Sequence, residues 1–184
     1  IEVCRQLVQW DAMGLHVPVV AVNISATHFC SAGLPRQIVG LLDEYGLAPQ
    51  RLTIEITEGV MMRQNAETMA TIAAIRAIGV GLSLDDFGTG FSSLSRLADL
   101  PLTEIKIDRS FVANFEEDVG AFVVTEAAIN IGKRLGITVV TEGVETAIQN
   151  EKLLNMGCDV VQGYLFGKPV PPVEFYEWYK MFFS

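Results

Sequence analysis

The chain has 184 residues and is 50% hydrophobic, enough for one sizeable core and too apolar for disorder. Its net charge of −9, from 13 basic against 22 acidic residues with no Lys/Arg run, argues against a nucleic-acid polymer as partner. Apolar stretches reach only strand length, so no membrane span is expected. Cys4, Cys30 and Cys158 are odd in number, widely spaced and set in apolar context. They read as buried core residues of a cytoplasmic, reducing environment, not as a disulfide framework or a zinc site.

Ile1 to Trp10 already has helical apolar spacing, with no capping residue and no initiator Met. We therefore expect a piece of a longer protein, which other domains could anchor to a membrane. Five helix-like segments then end at a glycine followed by an apolar run, at Gly14, Gly46, Gly79, Gly136 and Gly157. Strands are expected at Val19–Ile24, Leu52–Ile56, Gly81–Leu84, Glu104–Ile107, Thr138–Val140 and Asp159–Val161. Amphipathic helices are expected at about 34–45, 65–78, 116–135, 146–156 and 172–182. This βα alternation implies a parallel sheet covered by helices, either open and doubly wound or most of an eight-stranded barrel. No G-x-G-x-x-G opens a helix, which counts against a dinucleotide fold.

The polar residues favour the barrel. Asn23 ends the first strand, Glu55 and Glu58 the second, and Asp85 and Asp86 the third. Lys106 and Asp108 end the fourth, Glu142 and Glu145 the fifth, and Gln162 the sixth. Alternation puts Ile54 and Ile56 on one face and Glu55 on the other, and separates Ile105 and Ile107 from Lys106. Polar groups at the C-terminal ends of several strands are where (β/α) barrels build active sites. The stretch from Gly81 to Ser93 stands out, with two adjacent carboxylates leading into a Gly-punctuated loop whose Ser92 or Ser93 suits a helix cap.

Asn23, Glu55, Asp85, Asp86 and Glu142 are all oxygen ligands, which favours Mg²⁺ or Mn²⁺ over Zn²⁺. His16 and His28 read as loop or surface residues. The Asp85–Asp86 pair suits two cations about 3.5–4 Å apart, the arrangement that clamps an in-line phosphoryl displacement. Lys106 is the single cation of the set. It positions or deprotonates the attacking water, neutralises phosphate charge, or simply pairs with a neighbouring carboxylate. The residues alone point to a metal-dependent hydrolase of an anionic, phosphate-containing substrate.

Val22-Asn23-Ile24-Ser25, Glu55-Ile56-Thr57-Glu58, Asp85-Asp86-Phe87-Gly88-Thr89-Gly90, Ile105-Lys106-Ile107-Asp108, Glu142-Gly143-Val144-Glu145 and Gln162-Gly163-Tyr164 closely resemble the motif series of the EAL domain family. The resemblance implies a modified TIM barrel with about six of its eight strands present, the whole of 1–184 forming one domain. It implies a bacterial phosphodiesterase that cuts cyclic di-GMP to linear pGpG with two Mg²⁺ or Mn²⁺ ions. Asn23, Glu55, Asp85, Asp86 and Glu142 are then the metal ligands. Lys106, Glu142, Gln162 and Glu58 take catalytic roles: water activation, the essential acid, water ordering and steadying the loop after Asp86. Glu145 and Asp108 help shape the substrate site. The loop from Phe87 to Ser93 is expected to contribute to a homodimer, and sensory or GGDEF domains are expected on the same polypeptide. The family's Glu-Ala-Leu, whose Glu is a ligand, and a substrate-gripping Arg are expected on a strand upstream of Asn23, before the point at which this chain begins. A non-catalytic cyclic di-GMP receptor is the alternative, and an unrelated divalent-metal barrel hydrolase a more distant one. Asp86-Phe87-Gly88 does not make a kinase, because the companion kinase motifs are absent.

Overall fold

The computed structural model describes residues 1–31, 33–62, 65–89, 94–115 and 117–183, without the side chains of 61, 62, 94–96, 182 and 183. Its elements run α1 (Glu2–Ala12), β1 (Val20–Asn23), α2 (Ala26–Phe29), α3 (Leu34–Tyr45), β2 (Leu52–Thr57), α4 (Glu58–Met62) and α5 (Ala66–Ile78). They continue with β3 (Gly81–Phe87), α6 (Leu94–Asp99), β4 (Glu104–Ile107), α7 (Arg109–Ala113), α8 (Val119–Leu135), β5 (Thr138–Thr141), α9 (Ala147–Met156), β6 (Val160–Val161) and α10 (Pro172–Phe183). The six strands pair in parallel and in sequence order, so each βα unit adds the next strand beside the last. The result is an open half-barrel with β1 and β6 at its edges. The expected strands and long helices are found within a few residues of their forecast bounds.

Local chemistry explains the boundaries. Gly46, Gly79, Gly136 and Gly157 cap α3, α5, α8 and α9 in the left-handed region, at φ 63°, 96°, 67° and 78°. A side chain there would meet the following carbonyl, so glycine ends the helix and turns the chain toward the next strand. Asn65, Asp118 and Thr146 accept first-turn amides at the opposite ends, and Thr146 with Gln149 forms a full capping box. The Ser92 or Ser93 cap falls outside the described residues.

The core lies between the sheet and its outer helices. Ile54, Ile56, Leu82, Leu84, Ile105, Ile107 and Val139 are essentially inaccessible, which is what a strand covered on both faces requires. The helix α5 packs on β3, and α8 on β4 and β5. Trp10 of α1 meets Phe175 of α10 at 5.0 Å between ring centroids, tying the last helix to the first. Cys4 and Cys158 are buried as expected; Cys30 is only half-buried, its Sγ facing the buried Thr68 hydroxyl of α5. Among the described residues no helix is long and apolar enough to cross a membrane.

Two helix glycines separate propensity from packing. A Cβ on Gly40 of α3 meets nothing within 4 Å, whereas one on Gly132 of α8 lies 2.2 Å from Val139 Cγ2 and 3.1 Å from Ile137 O. Gly40→Ala is expected to stabilise the fold by about 0.5–1 kcal/mol, the helix-propensity gain. Gly132→Ala gains the same propensity but overpacks the helix–sheet seam by about 1–3 kcal/mol, so its net effect is a loss. Urea unfolding of the two variants should move the midpoint in opposite directions.

Candidate active site

Lys106 sits in the middle of β4 with its side chain 9% exposed, too deep for an unpaired ammonium. Three strands answer it with acid. Glu55 Oε1 of β2 stands 2.7 Å from Lys106 Nζ, Glu142 Oε1 just past β5 stands 2.6 Å away, and Asp85 Oδ1 of β3 stands 3.6 Å away. Asn23 of β1, paired in register with Glu55, donates its Nδ2–H to Glu55 Oε2 at 2.7 Å. Side chains alternate along each strand, so this convergence follows once the register is set. Burial works against the Lys106 ammonium, but hydrogen bonds and charge from Glu142 and Glu55 outweigh it and hold its pKa above the ordinary lysine value. The shift favours the ammonium form of Lys106, which is a hydrogen-bond donor.

The pair Asp85–Asp86 is not the plain strand end that the sequence suggests. The strand continues to Phe87, and the pairing of Leu84 with Ile105 gives way to Phe87 with Ile107, one residue extra on β3. This is a bulge, and Asp86 takes the extra step at φ 56°, a left-handed conformation that Asp tolerates better than most residues. Asp85 Oδ1 accepts the Asp86 N–H at 3.1 Å. Partial burial, then the charges of Asp85 and Asp108, push the Asp86 carboxyl above its usual range. The bulge thus keeps two like charges on consecutive residues at one rim.

The other forecast residues take varied places. Glu58, first in α4, accepts the Gly88 N–H at 3.2 Å and so ties its element to the chain leaving β3. Asp108 caps α7 through Ser110; burial opposes it, but bonds from the Ser110 hydroxyl and backbone amides bring its carboxyl below the usual value. The exposed Gln162 follows β6 and joins the site through its backbone, its N–H bonded to Thr141 O and its O to Val144 N–H. The Glu145 side chain is exposed and, among the described residues, makes no bond to the cluster; its N–H is held by Gln149. His28 lies on the surface beside Gln37, and His16 beside Asp11. Gly90 to Ser93, most of the loop expected at a dimer contact, lie outside the described residues.

Among the described residues, no three His, Cys, Asp or Glu side chains form a closed metal-ligand set by themselves. The acids are instead drawn around the ammonium, and Asn23 must be counted with them. Their chemistry nonetheless fits hard divalent cations. Every donor is an oxygen, and three carboxylates around one ammonium leave negative charge uncompensated, with Asp86 and Asp108 close by.

Sequence reading missed the short α7. It is a platform: a Cβ on Gly88 would lie 2.9 Å from Phe111 Cε2, and one on Gly143 2.5 Å from Arg109 Cβ. The signal was present in the glycines themselves, Gly88 inside the forecast loop and Gly143 next to Glu142.

A parallel half-barrel with an acidic, lysine-centred cluster at its strand C-terminal ends is the architecture of a TIM-barrel-like domain, which carries its sites at that end. The EAL domain model matches residues 1–169, and the chain belongs to the EAL domain family. It is 48% identical over 177 residues to the oxygen sensor protein DosP of Escherichia coli K12, covering 96% of this chain and 22% of that protein. The chain thus spans under a quarter of that relative's length. It superposes on the MucR phosphodiesterase of Pseudomonas aeruginosa in its c-di-GMP complex with a TM-score of 0.89 at 39% identity, covering 95% of this chain and 70% of that one. Against the manganese/cy-diGMP complex of Klebsiella pneumoniae BlrP1 the TM-score is 0.80 at 29% identity, covering 89% and 42%.

Removing only the charge tests the electrostatic account. Lys106→Met keeps most of the volume and leaves buried Glu55, 4% exposed, beside Glu142 and Asp85 with no cation. A loss of about 3–5 kcal/mol in urea unfolding is expected, the cost of stranding a buried partner. A loss under about 1 kcal/mol, the scale of an exposed ion pair, would show that the cluster is solvated.

Proposed function

We propose that this chain is the catalytic part of a phosphodiesterase that hydrolyses cyclic di-GMP to linear pGpG. The observation that carries the reading is the convergence of Glu55, Asp85 and Glu142 on Lys106 from three strands. Membership of the EAL domain family, and the c-di-GMP held by the MucR and BlrP1 relatives, support the substrate. Asn23, Glu55, Asp85, Asp86 and Glu142 would hold two Mg²⁺ or Mn²⁺ ions. When bound, such ions supply Lewis acidity at a phosphoryl oxygen and lower the pKa of water.

The chain's own residues do the rest. Lys106, held protonated, donates hydrogen bonds to the attacking water or to a phosphoryl oxygen and faces the charge that grows in the transition state. Glu142 and Glu55 fix the ammonium so that no reorganisation is needed when that charge appears. Gln162 orders water at the rim, while Glu58 holds the loop that follows Asp86 through Gly88. Asp108 and Glu145 border the substrate. We infer further that sensory or GGDEF domains on the same polypeptide govern the activity and that the chain works as a homodimer.

The test is release of linear pGpG from cyclic di-GMP with Mg²⁺ or Mn²⁺, resolved by chromatography. Asp85→Asn should abolish turnover while leaving the circular dichroism spectrum unchanged; normal turnover at saturating metal removes the metal-ligand role. Lys106→Ala should lower kcat on the order of 10²-fold with little change in KM, the mark of a group acting in the transition state. Binding of cyclic di-GMP by the native protein without any turnover would instead make it a receptor.

A further inference from the structure

Glu142 reaches Lys106 from residues 142–146, a segment between β5 and α9 with no regular structure of its own. A contact of 2.6 Å tolerates little drift, so the segment must be held from outside. Backbone bonds hold it. Glu142 N–H donates to Ile107 O at 3.1 Å, and Gln162 N–H to Thr141 O at 2.8 Å. Val144 N–H donates to Gln162 O at 3.1 Å, and Leu165 N–H to Val144 O at 3.0 Å. The chain leaving β6 therefore grips Val144 at both polar groups, and Val144 is fully buried there.

The grip closes over Gly163. A Cβ at that position would stand 2.1 Å from Val144 O and 2.3 Å from Val144 N, backbone atoms that no rotamer change can move aside. From the other side, Gly143 at φ 74° is pressed on Arg109 of α7. Glu142 is thus seated between two backbone approaches closer than any side chain allows.

We propose that Gly163 is a positioning residue for the acid cluster: by admitting the Val144 peptide against the exit of β6, it seats the Glu142 carboxylate on the Lys106 ammonium. It acts through the Val144 peptide, having no side chain of its own. A methyl at 163 drives the Val144 peptide back by about 1 Å, and a misplacement of about 1 Å at a catalytic group costs on the order of 10²-fold in rate. Gly143, already against Arg109, has no slack to absorb the shift, so it passes to Glu142. The same bonds make Gln162 part of that rigid unit.

Two readouts test this, and only the first rests on the hydrolytic function proposed above. Gly163→Ala should lose on the order of 10²-fold in kcat for cyclic di-GMP with KM little changed. In the metal-free protein, the slowly exchanging Lys106 ammonium signal should disappear from the ¹H–¹⁵N spectrum of lysine side chains. Gly143→Ala disturbs the segment from the Arg109 side and should do the same, so the test stands if one variant fails to fold. Gly136→Ala is the control: it strains the α8 cap at φ 67° with nothing within 4 Å, and should lower the melting temperature while kcat and the Lys106 signal persist. Wild-type kcat with an intact Lys106 signal in Gly163→Ala overturns the proposal. So does loss of both in Gly136→Ala in step with its melting temperature. If the native protein never releases linear dinucleotide, the hydrolytic function falls, and the ammonium spectra still decide the role of Gly163.

Discussion

The structure depends on one buried ammonium. Lys106, Glu55, Glu142 and Asp85 come from four consecutive βα units, and the two deepest, Lys106 and Glu55, are costly at their depth without partners. Desolvating such a group is expensive, and the Coulombic gain offsets that cost only in good geometry. The parallel ladders supply the geometry: Asn23 sits opposite Glu55, Glu55 opposite Ser83, and Ser83 opposite Glu104, so β1 to β4 cannot slip against one another without breaking the cluster. A polar interior is costly for stability but selective for register.

Around that centre, the loops are held by close backbone approach more than by side chains. Gly88 rests on Phe111, Gly143 on Arg109, and Gly163 on Val144. The first two share α7, which begins right after Asp108 and only three residues after Lys106. Gln149 adds a third tie, since its buried side chain bonds Glu145 N–H, Thr146 N–H and Val112 O. The platform beneath the loops is therefore built by the same strand that carries the ammonium.

Strands and long helices were legible because each is written redundantly. The segment Leu52–Thr57 alternates, its helices are amphipathic neighbours, and a left-handed glycine closes most of the long helices. The membership of the cluster was legible for a related reason: polar residues at strand ends have few structural uses. What was not legible depends on single angles and distances. The Asp85–Asp86 bulge adds one residue and one positive φ, and adjacent carboxylates give no hint of it. The protonation of Lys106 is a balance of burial against two acids whose distances no spacing reveals. The helices α2, α4, α6 and α7 are four to six residues long, too short for a periodic signal to emerge. Glycines inside polar motifs hid behind their acidic neighbours.

The charge balance constrains any anionic ligand. The chain carries −9 overall, and the one buried cation among the described residues, Lys106, is already shared among Glu55, Glu142 and Asp85. A phosphodiester approaching this rim meets Asp85, Asp86 and Asp108 with no unspent positive charge from the cluster to receive it. Asp86, whose carboxyl is pushed above its usual range by partial burial and then by those neighbours, registers part of the same repulsion from within. Divalent cations reverse the sign locally, since they bind the excess carboxylates and present positive charge outward. On the proposed reading, substrate affinity is therefore conditional on metal. On that reading the acids repel a phosphodiester until divalent cations bind, and the same excess of negative charge is what draws the cations.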